Sequence, residues 1–393
     1  MPVFTFLQTA MGRSRPMACA SHGNEKSELA KIVAMRVLSW SESLSTQSET
    51  MSQRLDRARQ WVQQTLGVHS VELQPASSDA SFRRYFRVRV PDASMILMDA
   101  PPKREDCRPY VAVGKLLEDA GVHVPAILAQ DLDAGFLLLE DLGDRSYLDE
   151  LDEDSAPALY GDALAALLAM QLRVPAGCVP EYDTDLVMGE LSLFGDWFLG
   201  RHLGVATTGN IGEILSSSFR FLAERFHEQV RVFVHRDYHS RNLMRTLERN
   251  PGVLDFQDAV SGPAAYDVVS LLRDVYIEWP QERVEAWLRG YHRDALARGV
   301  PVAADAGGFL RDADLIGAQR HLKVAGIFCR LYYRDNKPDY LPDIPLTLRY
   351  LIDECQRQPE LAALHTLLDD LDVLEKTREI NERMRDVTMD RSP

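Results

Sequence analysis

Three residues of this chain have the types and spacing to act together on a phosphoryl group. His235, Arg236 and Asp237 follow the apolar run 230–234, and Asn242 stands five positions beyond Asp237. This H-R-D-x-x-x-x-N spacing suits a loop in which one carboxylate receives the proton of an attacking hydroxyl while an amide oxygen helps to hold a divalent cation. Asp255 follows a second short apolar run, 253–254, which an Asn250-Pro251-Gly252 turn sets apart from the first. Two strands joined by that turn would bring Asn242 and Asp255 side by side, as Mg²⁺ shared with nucleotide phosphates requires. Phe256 comes next, but Gln257 stands where a D-F-G triplet has its glycine. Taken singly, Asp237 reads more readily as an exposed loop acid and Asp255 as a turn former; their joint spacing in a strand context favours chemistry. The expectation is transfer of a phosphoryl group from ATP to an alcohol, with Mg²⁺ as cofactor.

Such a loop needs elements to hold it. Apolar runs at 86–90, 95–98 and 136–139 read as strands, with a helical period over 110–120 between them. Glu140, Asp141, Leu142 and Gly143 break the last run, and helical periods then dominate, one through Leu164, Leu167, Leu168 and Leu172, another through Leu215, Phe219, Leu222 and Phe226. The expected class is α+β, with a small β-rich N-lobe and a larger helical C-lobe. Residues 51–139 form the N-lobe in this reading, beginning with a helix just after Met51, 140–146 the interlobe linker, and 147–374 the C-lobe. Residues 1–50 read as a flexible leader or a mis-assigned start, and 375–393 as a charged tail.

Bulk properties limit the partners. With 393 residues, 46% of them hydrophobic and 26% charged, the chain is long enough for two lobes and too apolar for wholesale disorder. Lys and Arg total 44 against 59 Asp and Glu, a net charge of −15, which repels polyphosphate backbones and excludes a general nucleic-acid binder. It does not exclude ATP, because Mg²⁺ bridges carboxylates to phosphates. The five cysteines (Cys19, Cys107, Cys178, Cys329, Cys355) are scattered and form no C-x-x-C pair, which argues against a disulfide framework or a zinc site and for a cytoplasmic protein. No run approaches the ~18 apolar residues of a membrane span. The oligomeric state leaves no mark in the sequence.

Over about residues 55–370 the chain resembles the aminoglycoside phosphotransferase and choline kinase superfamily, two-lobed relatives of the protein kinases. The stretches 233–244, 254–260 and Tyr266-Asp267-Val268-Val269-Ser270-Leu271-Leu272-Arg273-Asp274 look like those of bacterial anomeric kinases of N-acetylmuramate and N-acetylglucosamine. The resemblance implies a bilobal protein-kinase-like fold, ATP and an amino sugar as small-molecule substrates, a sugar 1-phosphate as product, and a place in peptidoglycan (cell wall) recycling. It further implies that His235 and Asp267 are structural, Asp267 fixing the catalytic loop by accepting backbone hydrogen bonds, and that His239 lies near the γ-phosphate. Asp258 reads either as a further carboxylate beside the metal and substrate or as a cap of the turn.

The nucleotide lobe departs from the protein-kinase pattern. Its expected phosphate loop, 77–86, has no glycine; Ser81, Arg83 and Arg84 are its candidate contacts, and an ordinary polar hairpin is the alternative. Met98 stands where a strand lysine is expected, with Arg84 as the proposed substitute. Glu140 and Leu142 would pass beside adenine and serve through their backbone. Glu190, Asp196 and Trp197 fall on a helix over 186–202 that the resemblance assigns to the acceptor pocket, core packing being the plain alternative for Trp197. Arg320, Lys323, Arg330 and Arg334 share an arc of roughly 80° on one helix. That stripe is either a solvated face or, through Arg330 and Arg334, a site for the lactyl carboxylate of N-acetylmuramate. Other readings are an alcohol kinase for an aminoglycoside, choline or homoserine, or a nucleotide-binding pseudokinase scaffold, the latter suggested by the absent lysine and glycine.

Overall fold

The computed structural model of the chain describes residues 51–77, 83–91 and 93–389. The chain divides into two units, Met1–Gln60 and Trp61–Pro393. The first contributes, among the described residues, the start of a helix, Met51–Leu66. Both lobes of the fold lie in the second.

The N-lobe sheet is antiparallel throughout, in the order β1-β2-β3-β5-β4, with β1 Glu72–Ser77, β2 Arg84–Val90, β3 Ala93–Asp99, β4 Ile127–Asp131 and β5 Phe136–Glu140. Alternation in β2 buries Phe86 and Val88, and the register sets them opposite Leu97 and Met95 of β3, also buried. In β5 all of Phe136, Leu137, Leu138 and Leu139 are buried, as suits a strand with neighbours on both sides and covered faces. The edge strands β1 and β4 escape sequence reading. Both have an irregular register, one at Pro75 and Ser77 and the other at Ile127 and Ala129, and neither has a clean apolar alternation.

Between β3 and β4 runs the helix Arg108–Asp119, begun by Pro109 and burying Tyr110, Val113, Gly114 and Leu117, one stripe of a helical period. Gly114 eases a close approach there. A Cβ would sit 3.3 Å from the Phe256 ring, and without it the Tyr110 and Phe256 centroids close to 4.6 Å. The residue after Asp255 is thus packed against the N-lobe helix.

The C-lobe is organised on the helix Ala306–Asp335, about 45 Å long at the usual rise. Asp305 caps its start by accepting from the Gly308 N–H at 2.9 Å, and Asn336 ends it with a left-handed φ of 55°. It packs against Thr184–Leu193, Ala265–Leu272 and Ile344–Arg357, and it crosses the first of these where a Cβ on Gly326 would come within 2.4 Å of the Leu193 carbonyl carbon. Surrounded in this way, its middle is buried on every side. Arg320 and Lys323 are 3% and 6% exposed, so the basic stripe does not face solvent along its length. The single helix expected over 186–202 changes character at its middle, from Thr184–Leu193 to the π-helical Phe194–His202. Beyond residue 375 the charged segment continues a helix, Val373–Met389. Among the described residues no helix is long and apolar enough to cross a membrane.

Candidate active site

Two small two-stranded antiparallel sheets present the candidate catalytic residues. β6 (Arg231–Val234) pairs with β9 (Val260–Pro263), and β7 (Leu243–Met244) pairs with β8 (Gly252–Val253). The first releases His235, Arg236 and Asp237 into a loop. The second folds Asp255 back beside Asn242, because the Leu254 N–H donates to the Asn242 carbonyl at 2.9 Å. Arg236 and Asp255 adopt left-handed φ values of 78° and 60°, costly for residues with side chains and sustained by their surroundings.

Buried acids hold the loop. Asp267 accepts from the backbone N–H groups of His235 at 2.7 Å and Arg236 at 3.0 Å. Burial pushes its carboxyl up to about 7, against the opposing pull of those two donors. Asp274 accepts from the N–H groups of Ser240 at 2.8 Å and Tyr276 at 3.1 Å. His235 lies between the Asp237 N–H, 3.3 Å from Nδ1, and the Leu254 carbonyl, 2.9 Å from Nε2. A carbonyl accepts and an amide donates, so the proton sits on Nε2. Burial lowers this imidazole to about 4 and keeps it neutral.

Burial alone would raise the Asp237 carboxyl, but nearby charges, Lys323 foremost and Arg236 with it, outweigh it and hold it below the ordinary aspartate value. The group is therefore ionised and able to receive a proton. Asn242 donates through Nδ2 to the Asp237 carbonyl at 2.9 Å, which leaves Oδ1 as an acceptor. Asp255 accepts from Gln257 Nε2 at 2.7 Å and lies 3.9 Å from Arg83 Nη1. One amide oxygen and one carboxylate, held adjacent by backbone, are hard donors of the kind that bind Mg²⁺ when phosphates and water complete the shell, so the residues fit that ion. His239 sits 3.5 Å from the Asn242 amide through Nε2, its Nδ1 buried without a hydrogen-bond partner. Burial lowers its pKa, so near pH 7 the ring is neutral and offers an N–H rather than a charge.

A cavity of about 460 Å³ opens beside these residues, with Tyr85 and Ile96 of the N-lobe on one wall, 139–144 along its back, and Asn242, Met244, Leu254 and Asp255 on the other wall. Glu140 and Leu142 both line it. Asp258 is exposed, and its carboxylate accepts from Gln257 Nε2 at 3.3 Å. A larger cavity, about 670 Å³, is bordered by Arg273, Trp279, Tyr350 and Arg357 and reaches none of the catalytic residues. Ser81 lies outside the described residues. Arg84 departs from its expected role: its Nε donates at 3.0 Å to Asp99, a fully buried carboxylate opposite it in the β2–β3 register, and this pairing ties the arginine to the sheet. Arg83, just before the strand begins, is the arginine that approaches Asp255, while also pairing with Glu105 at 3.2 Å.

The acceptor-side expectations need the most correction. Glu190 is 6% exposed and its carboxylate is occupied by Arg236 Nη2 at 2.5 Å, Lys323 Nζ at 3.0 Å, Gln319 Nε2 at 3.3 Å and the Tyr182 hydroxyl. It anchors the residue beside Asp237 and has no lone pair to spare for a sugar hydroxyl. Asp196 is exposed and Trp197 half-buried against the core; no contact among the described residues joins either to Asp237. Arg334 is exposed and pairs with Asp335 at 2.8 Å, while Arg330 is half-buried with its Nε unpartnered. Sequence reading overlooked Lys323, Asp274 and Glu105 as members of the site. For Lys323 a signal existed: it interrupts an apolar stretch, Leu322 to Ala325, where a solvated face would not be apolar.

Residues 72–302, more than half of the chain, match the sequence model of the phosphotransferase enzyme family. A protein of Pseudomonas aeruginosa named N-acetylmuramate/N-acetylglucosamine kinase is 53% identical over 304 residues, covering 77% of this chain and 90% of that one. One of the same name from Neisseria meningitidis serogroup B is 42% identical over 324 residues, 81% of this chain and 96% of its own length. Among solved structures, a choline kinase from Streptococcus pneumoniae superposes with a TM-score of 0.55 at 13% identity, over 76% of this chain and 99% of that one. That likeness is one of fold.

Proposed function

Because the chain belongs to the phosphotransferase enzyme family, we propose that it is an ATP- and Mg²⁺-dependent kinase of the anomeric hydroxyl of N-acetylmuramate, N-acetylglucosamine or both. The relatives' names support the acceptor, and the adjacency of Asn242 and Asp255 beside an ionised Asp237 supports the chemistry. Asp237 orients the hydroxyl and takes its proton as the acceptor oxygen bonds to the γ-phosphorus and the bridge to the β-phosphate breaks, leaving a sugar 1-phosphate and ADP. An anomeric hydroxyl is more acidic than an ordinary alcohol and asks little of its base. Mg²⁺ held by Asn242 and Asp255 would supply charge neutralisation on the phosphates. Asp267 and Asp274 fix the loop through its N–H groups, and Arg83, not Arg84, takes the place of the missing strand lysine, with Glu105 as its partner. Such a product suits the recycling of cell-wall sugars.

The test is phosphorus NMR of the product formed from each sugar with ATP and Mg²⁺. Phosphate on carbon 1 is expected, and phosphate on carbon 6 would refute the assignment. Asp237→Asn should lower kcat by about 10²- to 10⁴-fold while nucleotide affinity stays within a few-fold. Turnover equal to wild type would remove Asp237 as the base.

A further inference from the structure

Arg241 precedes Asn242 in the catalytic loop and lines the same cavity. Its guanidinium lies over the ring of Tyr276, 3.8 Å from the centroid, and 5.8 Å from that of Tyr340. The rings beneath are continuous: Tyr276 meets His239 at 5.4 Å and Phe328 at 6.2 Å, and Phe328 meets Tyr340 at 5.3 Å. An arginine laid on an aromatic face gains cation–π attraction while the N–H groups along its edge stay open to an oxyanion, and its planar fork is set in place before the ligand arrives. Among the described residues Arg241 makes no hydrogen bond or ion pair, whereas Arg87, the other arginine lining the cavity, is bound to Asp141 at 2.7 and 3.0 Å. Two carboxylates bear on the same aromatic bed, Asp274 and Asp343. The first is engaged by two backbone N–H groups, and neither forms an ion pair with Arg241.

We propose that Arg241, seated on Tyr276, binds the polyphosphate of the donor nucleotide. The inference rests on the kinase reading above and adds a residue to it. The donor is favoured over the acceptor because the cavity Arg241 lines is walled by Tyr85, Ile96 and the linker residues 139–144, while Asp237, which must face the acceptor, is not part of its lining.

Isothermal titration with ATP, ADP and adenosine in Mg²⁺ tests this on the whole chain. Arg241→Ala should weaken ATP and ADP by about 10- to 100-fold, as expected for lost hydrogen bonds to a charged group, and leave adenosine unchanged. Arg241→Lys should recover only part of the loss, since lysine keeps the charge but not the fork or the stacking. Tyr276→Phe keeps the ring and should bind as wild type. Arg241 is exposed, so the thermal midpoint of its variants should match wild type. Unchanged ATP affinity in Arg241→Ala, with wild type binding ATP normally, overturns the inference and spares the kinase reading; a wild-type protein that binds no ATP overturns both. A KM raised for N-acetylmuramate alone, with ATP affinity intact, overturns the donor assignment and moves Arg241 to the acceptor's carboxylate.

Discussion

The carboxylate of Glu190 ties the Arg236 side chain of the candidate catalytic loop to the central helix, and its removal is the most informative perturbation of this fold. Arg236, in a left-handed conformation with φ 78°, reaches Glu190 at 2.5 Å, and Lys323 reaches it from the central helix at 3.0 Å, all three side chains being largely buried. At 3.0 Å and an effective dielectric near 20 the gross Lys323–Glu190 attraction is about 5 kcal/mol, most of which offsets desolvation. Lys323→Met leaves Glu190 with Arg236, Gln319 and the Tyr182 hydroxyl, so it should cost about 3 kcal/mol, the low end for breaking a buried pair. Glu190→Gln strands two buried cations together and should cost about 5 kcal/mol. In the double variant only Arg236 is left without its carboxylate, so the combined loss should fall short of the sum by about 2 kcal/mol. Denaturant unfolding of the four proteins measures this coupling, and kcat measured alongside should fall in Glu190→Gln with little change in the KM for ATP, because Arg236 adjoins Asp237. Additive losses, or single losses under about 1 kcal/mol, would mean that the carboxylate is not the anchor described.

The two adjacent arginines of the nucleotide lobe should separate cleanly. Arg83→Ala is expected to raise the KM for ATP by about 10-fold or more with little loss of stability, while Arg84→Ala, which removes the partner of the buried Asp99 carboxylate, should cost about 1 to 3 kcal/mol of stability; steady-state kinetics and thermal melts would read the two, and the reverse pattern would return the phosphate contact to Arg84. His202 gives a pH signature. Burial lowers its pKa to about 4 against the usual 6.5, so it is neutral in the fold and takes up a proton on unfolding. Its contribution is complete above about pH 6.5 and declines as pH falls toward 4, a loss of about 2 kcal/mol at pH 5. His202→Leu removes that loss, so the variant should gain about 2 kcal/mol relative to wild type between pH 7.5 and pH 5 in paired denaturation curves; a constant difference would show that the ring is not held neutral.

The parts of the site that could be read in the sequence are those whose geometry is local. Asp237, Asn242 and Asp255 all fall within 237–255, so their spacing is legible in the sequence, but the pairing is not: the runs 230–234 and 253–254 do not pair with each other, the first pairing with 260–263 and Val253 with Leu243 across the turn. Asp267 and His235 were reached through resemblance, since nothing in the spacing says that a carboxylate 32 positions away will accept the His235 N–H. Arg83 and Arg84 show where local reasoning stops. Which arginine meets Asp255 depends on where the strand begins and on the pairing of Arg84 with Asp99, and that register is a property of two strands. Glu190 and Lys323 are the stronger case. Each falls on the helix that the periodicity gives it, but helical period assigns a residue to a face without saying what covers that face, and the helix Ala306–Asp335 is covered nearly all round over its middle. A polar pair that looks solvated in each helix taken alone becomes a buried ion pair once Gly326 lets the two helices cross at contact distance. Burial then decides the chemistry, because a cation that cannot reach water must find a carboxylate, and the charge it brings is the largest of those that hold the Asp237 carboxyl below its ordinary value.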